Sequence, residues 1–282
     1  YQEKLGETIT EEKNPSTNSF GTGFFVSNKG HIITNFHVVR NSNNIKFIYN
    51  GDEVDAKLIE SDQQLDLALL KSKVENKNYI KFSNKSPQKA QNILVAGFPF
   101  GKAISSDLKI TGGIINSLKG GGNDTTRLQI DATVNPGNSG GPIVDKVNGS
   151  LVGVAVAKLN KDFTKEVFGV EGENTNYGIK ASQVRDFLES NNINVSVKSS
   201  KLKISELEES TVFIYNKWLI MKNIREAIKF KLQQTIKRGL KVPRNKFFAN
   251  VLRLTLSDIY NEDKELKRRI HDSEIVQVLK KM

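Results

Sequence analysis

Apolar positions in the first half of the chain come in short runs separated by Gly, Asn, Asp and Ser. Gly23–Ser27 and Ile32–Thr34 flank Asn28-Lys29-Gly30, and Asn44–Tyr49 and Glu53–Ile59 flank Asn50-Gly51-Asp52. Both interruptions predict hairpins, because Asn and Gly tolerate the left-handed backbone angles that tight turns require. Further strand-like runs cover Asp66–Lys71, Asn92–Gly97, Leu108–Ser117, Thr126–Thr133, Pro142–Asp145 and Leu151–Ala157. Many short strands at this spacing predict a mainly β sandwich or barrel. The period then changes. Val184, Phe187 and Leu188 fall on one face of a helix over Ser182–Ser190. Asn191–Lys203 is polar and serine-rich, and Ile204–Ile220 starts as an acidic helix before the strand-prone Thr211–Tyr215. From Met221 the stripe Ile224, Ile228, Leu232 and Ile236 predicts a helix that Pro243 ends. A second helix carries Phe247, Phe248, Val251, Leu252, Leu254 and Ile259, and a third, capped by Asp272 or Ser273, carries Ile275, Val276 and Leu279. The expected organisation is a flexible leader over 1–19, a β domain over 20–195, a linker over 196–220 and a basic helical segment over 221–282.

Three words within the β region carry candidate chemistry. Asn135-Pro136-Gly137-Asn138-Ser139-Gly140-Gly141-Pro142 sets one serine among glycines in a tight turn. Glycine there lets consecutive backbone N–H groups converge on one point, where the oxyanion of a carbonyl addition can sit. Thr34-Asn35-Phe36-His37-Val38-Val39 supplies a histidine, and Asp66-Leu67-Ala68-Leu69-Leu70 opens an apolar run with an aspartate. His, Asp, Ser is one of the known chain orders of a catalytic triad. A serine hydroxyl needs an adjacent base, His37 is suited to take and return its proton, and a carboxylate fixes the imidazole tautomer. Asp62 competes with Asp66 for that last role; Asp66 is preferred because it directly precedes Leu-Ala-Leu-Leu. His31, beside a turn glycine, and His271, in the basic tail, read as solvated side chains.

Together with Gly21-Thr22-Gly23-Phe24 and Ala96-Gly97-Phe98-Pro99, these words resemble a trypsin-like serine protease of the HtrA (Deg) branch over about residues 16–195. The resemblance implies a chymotrypsin-like double six-stranded β-barrel with the site in the cleft between barrels, followed here by a small α-helical C-terminal segment. It implies serine endopeptidase activity on protein substrates through His37, Asp66 and Ser139, with the N–H groups of Gly137 and Ser139 as oxyanion hole. It places Thr133 near the base of the substrate pocket and Val156, Ala157 and Lys158 along its wall. No acidic residue marks the pocket base, so small or medium apolar side chains are the expected preference. Asn138 stands where digestive relatives carry the aspartate that pairs with a freshly cut N-terminus, which predicts no activation by clipping. Ordering of loops around Phe98–Ser106 and Gly120–Thr125 is the expected alternative. The branch further implies a homotrimer, a periplasmic or cell-envelope location and a role in protein quality control. Its usual PDZ domain is not expected, for no Gly-Leu-Gly-Phe-like loop follows residue 195.

Composition changes this picture mainly at the C-terminus. The chain has 282 residues, a net charge of +11 and no cysteine, so disulfide and thiol chemistry are excluded and, with three histidines, neither a metal nor a cofactor is expected. No apolar run is long enough to span a membrane. Residues 201–282 hold 19 Lys/Arg against 10 Asp/Glu, so +9 of the charge lies there. Met221–Lys237, Leu252–Leu256 and Asp272–Lys281 resemble the N-terminal part of the YqeY family, related to the tail of the tRNA-dependent amidotransferase GatB. A rival reading follows: a catalytically silent peptide-binding module whose basic tail contacts nucleic acid or protein. Charge alone permits phosphate contacts, but few aromatic residues are interleaved with the basic ones, which disfavours nucleic acid.

Overall fold

A computed structural model describes residues 20–40, 42, 44–99, 107–156, 176–197 and 201–216. These lie in one compact unit, Tyr1–Ile220; residues 1–19, expected as a leader, and 221–282, expected as a basic helical segment with YqeY-like stretches, lie outside the described residues.

Twelve strands form two closed six-stranded barrels. The first contains β1 (Phe20–Phe25), β2 (His31–Thr34), β3 (Ile45–Tyr49), β4 (Asp52–Asp62) and β5 (Leu67–Ser72). The second contains β6 (Asn92–Gly97), β7 (Lys109–Ser117), β8 (Arg127–Ile130), β9 (Pro142–Asp145), β10 (Leu151–Val156) and β11 (Asn176–Lys180). Among the described residues three α-helices accompany them: a single turn α1 (Phe36–Val39), α2 (Ala181–Ser190) and α3 (Ile204–Ser210). The mainly β, chymotrypsin-like architecture expected from the sequence is the one observed. The Asn-Gly hairpin forms as expected, with Tyr49 paired to Asp52 and positive φ at Asn50 (51°) and Gly51 (90°).

The continuous apolar runs have a simple cause. Alternate side chains of a strand face opposite sides, and here both sides are buried. Phe25, Ile32, Ala68 and Leu70 point into the first barrel, while their neighbours Phe24, Ile33, Leu67 and Leu69 enter a separate cluster with Val144, Val154 and Ile179 of the second barrel. That shared cluster, also filled by Val184, Phe187 and Leu188 of α2, joins the barrels. The second barrel's own core is built on Ile93, Val95, Ile115, Leu128, Ile130 and Ile143.

One expectation is corrected. Residues 196–197 and 201–216 belong to the barrel pair rather than to a linker, so the pair does not end at residue 195; 198–200 and 217–220 lie outside the described residues. After α2 the chain returns to the first barrel. Ser196 accepts the Phe82 N–H at 2.8 Å, Leu207 of α3 is buried in the shared cluster, and β12 (Thr211–Asn216) inserts between β1 and β3. Phe24 pairs with Thr211 and Phe20 with Tyr215 on one side, and Phe213 with Ile48 and Asn216 with Ile45 on the other. Val212 and Ile214 face the barrel core. The local propensities at 204–216 were legible, but their partners lie near the chain's other end.

Candidate active site

The three words of the sequence meet at the junction between barrels. β2 ends at Thr34, and Asn35, in extended conformation, starts the single helical turn that carries His37. Asp66 ends the turn before β5 with a φ of 63°, in the left-handed region that Asp tolerates better than most residues. That conformation is held from outside. The Asp66 carbonyl accepts the Phe36 N–H at 3.1 Å and the Asn35 side-chain amide at 2.9 Å. Its carboxylate then faces His37 twice: Oδ1 accepts the His37 backbone N–H at 2.9 Å, and Oδ2 lies 2.7 Å from His37 Nδ1. With Nδ1–H as donor, Nε2 is the free acceptor, the tautomer that general-base chemistry needs. The two side chains keep 20% and 18% exposure, so the pair is sheltered but reachable.

Ser139 sits in a turn fixed from several directions. Asn138 N–H bonds to Asn135 O at 2.9 Å, and Gly141 N–H to Asn138 O at 2.9 Å. Gly140 N–H and Ala155 O are 2.9 Å apart, so β10 supports the turn from the second barrel. From the first barrel, the Thr22 N–H donates to Ser139 O at 2.8 Å and the Thr22 hydroxyl to Gly137 O at 2.7 Å. Glycine is required at 140: φ is 84°, and a Cβ there would collide with the Thr22 carbonyl oxygen and the Thr34 hydroxyl. A Cβ on Gly21 would lie 2.6 Å from Val38 Cγ2 and 3.0 Å from Ser139 O, and one on Gly140 would lie 2.9 Å from Asn35 N. The serine turn and the histidine turn thus approach each other across bare glycine backbone.

Other expected residues fall as follows. Val156 is buried at the end of β10. Thr133 is exposed, with its carbonyl accepting the Thr111 hydroxyl at 3.0 Å. Ala157 and Lys158 lie outside the described residues, as do 100–106 of the Phe98–Ser106 loop. Gly120–Thr125 contains a 3-10 turn at Gly121–Asn123, and Asp124 anchors it: Gly120 N–H reaches Asp124 O at 2.7 Å, and Asp124 binds Thr126 and Arg127. Asn138 is buried under Gly97, with its amide oxygen unpartnered among the described residues. Asp62, the competing carboxylate, instead accepts the Gln64 and Leu65 N–H groups at 2.9 Å each. Sequence reasoning named Thr22 and Asn35 within its words but gave them no task; polar side chains inside glycine-rich or apolar words were the signal. Among the described residues, no group of three His, Asp or Glu could hold a metal ion, and no helix is long and apolar enough to cross a membrane.

Comparisons with known proteins bear on the fold and the type of domain. Residues 21–154 match the family model described as a trypsin-like peptidase domain. The uncharacterized protein y4bJ of Sinorhizobium fredii is 34% identical over 197 residues, which is 69% of this chain and 31% of that protein. A probable periplasmic serine endoprotease, DegP-like, of Bartonella henselae is 40% identical over 145 residues, 49% of this chain and 28% of its own. The crystal structure of the serine endoprotease from Yersinia pestis aligns with a TM-score of 0.50 at 31% identity, over 60% of this chain and 56% of that one. The chain spans less than a third of the length of these two curated relatives.

Proposed function

We propose that residues 20–216 form a serine endopeptidase unit that hydrolyses peptide bonds in protein substrates. The observation that carries this reading is the double engagement of Asp66 with His37, at 2.9 Å to the backbone and 2.7 Å to Nδ1. It leaves Nε2 to act as base. In the proposed reaction His37 Nε2 takes the Ser139 hydroxyl proton as Ser139 Oγ attacks the scissile carbonyl. The Gly137 and Ser139 N–H groups receive the developing oxyanion. His37 then passes its proton to the leaving amine, and water repeats the sequence to release the acyl group. Asp66 keeps its hydrogen bond to Nδ1–H and stabilises the imidazolium.

Protein substrates follow from the matched domain and from the endoprotease names of its relatives. A periplasmic setting is proposed from the name of the DegP-like relative, and a role in protein quality control from the resemblance of the sequence words to the HtrA branch. Hydrolysis of unfolded casein tests the reading: wild type releases peptides, and Ser139→Ala and His37→Ala release none. Casein cleavage that survives Ser139→Ala would sink it.

A further inference from the structure

Thr22 is fully buried on β1, and every polar atom it owns is engaged. Its N–H donates to Ser139 O at 2.8 Å, and its carbonyl accepts the Thr34 hydroxyl at 2.7 Å. Its hydroxyl accepts the Phe98 N–H at 3.0 Å and donates to Gly137 O at 2.7 Å. The Phe98 bond decides the direction of the hydroxyl proton, because a hydroxyl that accepts from an amide has its single proton left for a carbonyl. Phe98 is in turn placed by its ring, which packs edge-on against Phe213 of β12 at 5.9 Å.

The peptide joining Gly137 to Asn138 is thereby held at both ends. Its carbonyl is bound by Thr22, and its N–H by Asn135 O at 2.9 Å. Gly137 itself has a φ of 101° and no Cβ to restrain it. With one flanking peptide fixed, the direction of the other, which carries the Gly137 N–H, depends only on the two backbone torsions of Gly137 itself. Without the Thr22 hydroxyl, a buried carbonyl would be left unbonded. The cheapest repair is rotation of this glycine toward water, which swings the N–H away as well.

We propose that Thr22 is a positioning residue for the oxyanion hole: its hydroxyl fixes the Gly137 peptide so that the Gly137 N–H is aimed at the reacting carbonyl. This rests on the peptidase reading above. Thr22 touches no substrate; it acts through Gly137.

The test compares wild type, Thr22→Val, Thr22→Ser and Ser139→Ala in casein hydrolysis and in the inactivation rate with a fluorophosphonate, whose phosphoryl oxygen needs the same N–H. Thr22→Val keeps the side-chain shape without the hydroxyl. The expected result is a fall in kcat of about 100-fold and a parallel fall in inactivation rate, with KM and the pH profile of kcat/KM unchanged, as for loss of one oxyanion donor. Thr22→Ser restores both rates. Should Thr22→Val fail to fold by circular dichroism, Thr22→Cys, similar in size and a weak donor, decides by the same criterion. A folded Thr22→Val or Thr22→Cys with wild-type kcat, or one whose loss is all in KM, overturns the proposal while the peptidase reading stands. Wild type that neither cleaves casein nor takes the label overturns both.

Discussion

Ile214→Ala is the sharpest probe of how the first barrel is closed. Ile214 is 1% exposed, pairs with Gly21 and Phe47 on either side, and its Cδ1 fills the space above Gly23, where a Cβ would collide with it. Its neighbours in the core include Val38, one residue from His37. Truncation of a fully buried isoleucine costs about 2–5 kcal/mol, counting both lost transfer energy and the cavity left behind. The middle of that range applies rather than its lower end, because β12 is flanked by paired strands on both sides and the walls of a closed barrel cannot collapse into the gap. A loss of about 3–4 kcal/mol lowers the folded-to-unfolded ratio by a factor of about 150–900 and removes a large share of a typical domain's stability. Urea unfolding followed by far-UV circular dichroism measures it, with Ile59→Ala, 52% exposed on β4, as a control expected to change within about 0.5 kcal/mol. If residues 196–220 were a linker, Ile214→Ala would behave like that control. An unchanged urea midpoint would refute the barrel closure described here.

Other consequences are equally direct. Asp66→Asn keeps the left-handed turn, since Asn tolerates it, but presents His37 with an amide; kcat on casein falls about 10⁴-fold while the melting temperature stays close to wild type. Gly140→Ala meets the Thr22 carbonyl and the Thr34 hydroxyl and forces a strained φ, so it destabilises by about 1–3 kcal/mol or more, read as a lowered urea midpoint, and abolishes casein cleavage. The pKa of His31 is lowered from 6.5 by burial, then by the nearby Lys71 and Lys29 charges. Below about pH 6.5 the unfolded chain therefore binds a proton that the folded one resists. Stability falls as pH drops through that window and levels off below the folded pKa; His31→Gln flattens this acid slope in urea midpoints measured across pH.

Much of this was legible because the signals are local. Phe24-Phe25, Ile32-Ile33 and Leu67–Leu70 read as strands from their own apolar density, and burial on two faces explains why they do not alternate with polar residues. Asn50-Gly51 predicted its own turn. The site words contained the His37–Asp66 pair now seen at 2.7 Å. What stayed hidden depends on residues distant in sequence. Thr211–Tyr215 showed strand propensity, yet nothing in it announces pairing with β1 and β3, where Phe20 meets Tyr215 and Ile45 meets Asn216. β11 escaped notice because Asn176-Tyr177-Gly178-Ile179-Lys180 is short and half polar; it is a strand through pairing with β8 and β10. The tasks of Thr22 and Asn35 likewise arise from hydrogen bonds to Gly137 and Asp66, which only the fold brings within reach.

Fluorophosphonate labelling followed by peptide mapping tests the central claim most directly, because it reads nucleophile activation at one atom without needing the natural substrate. Label on Ser139 in wild type, lost in Ser139→Ala and strongly slowed in His37→Ala, is the predicted result. Folded protein that takes no label at Ser139, or takes it equally well without His37, would contradict the account.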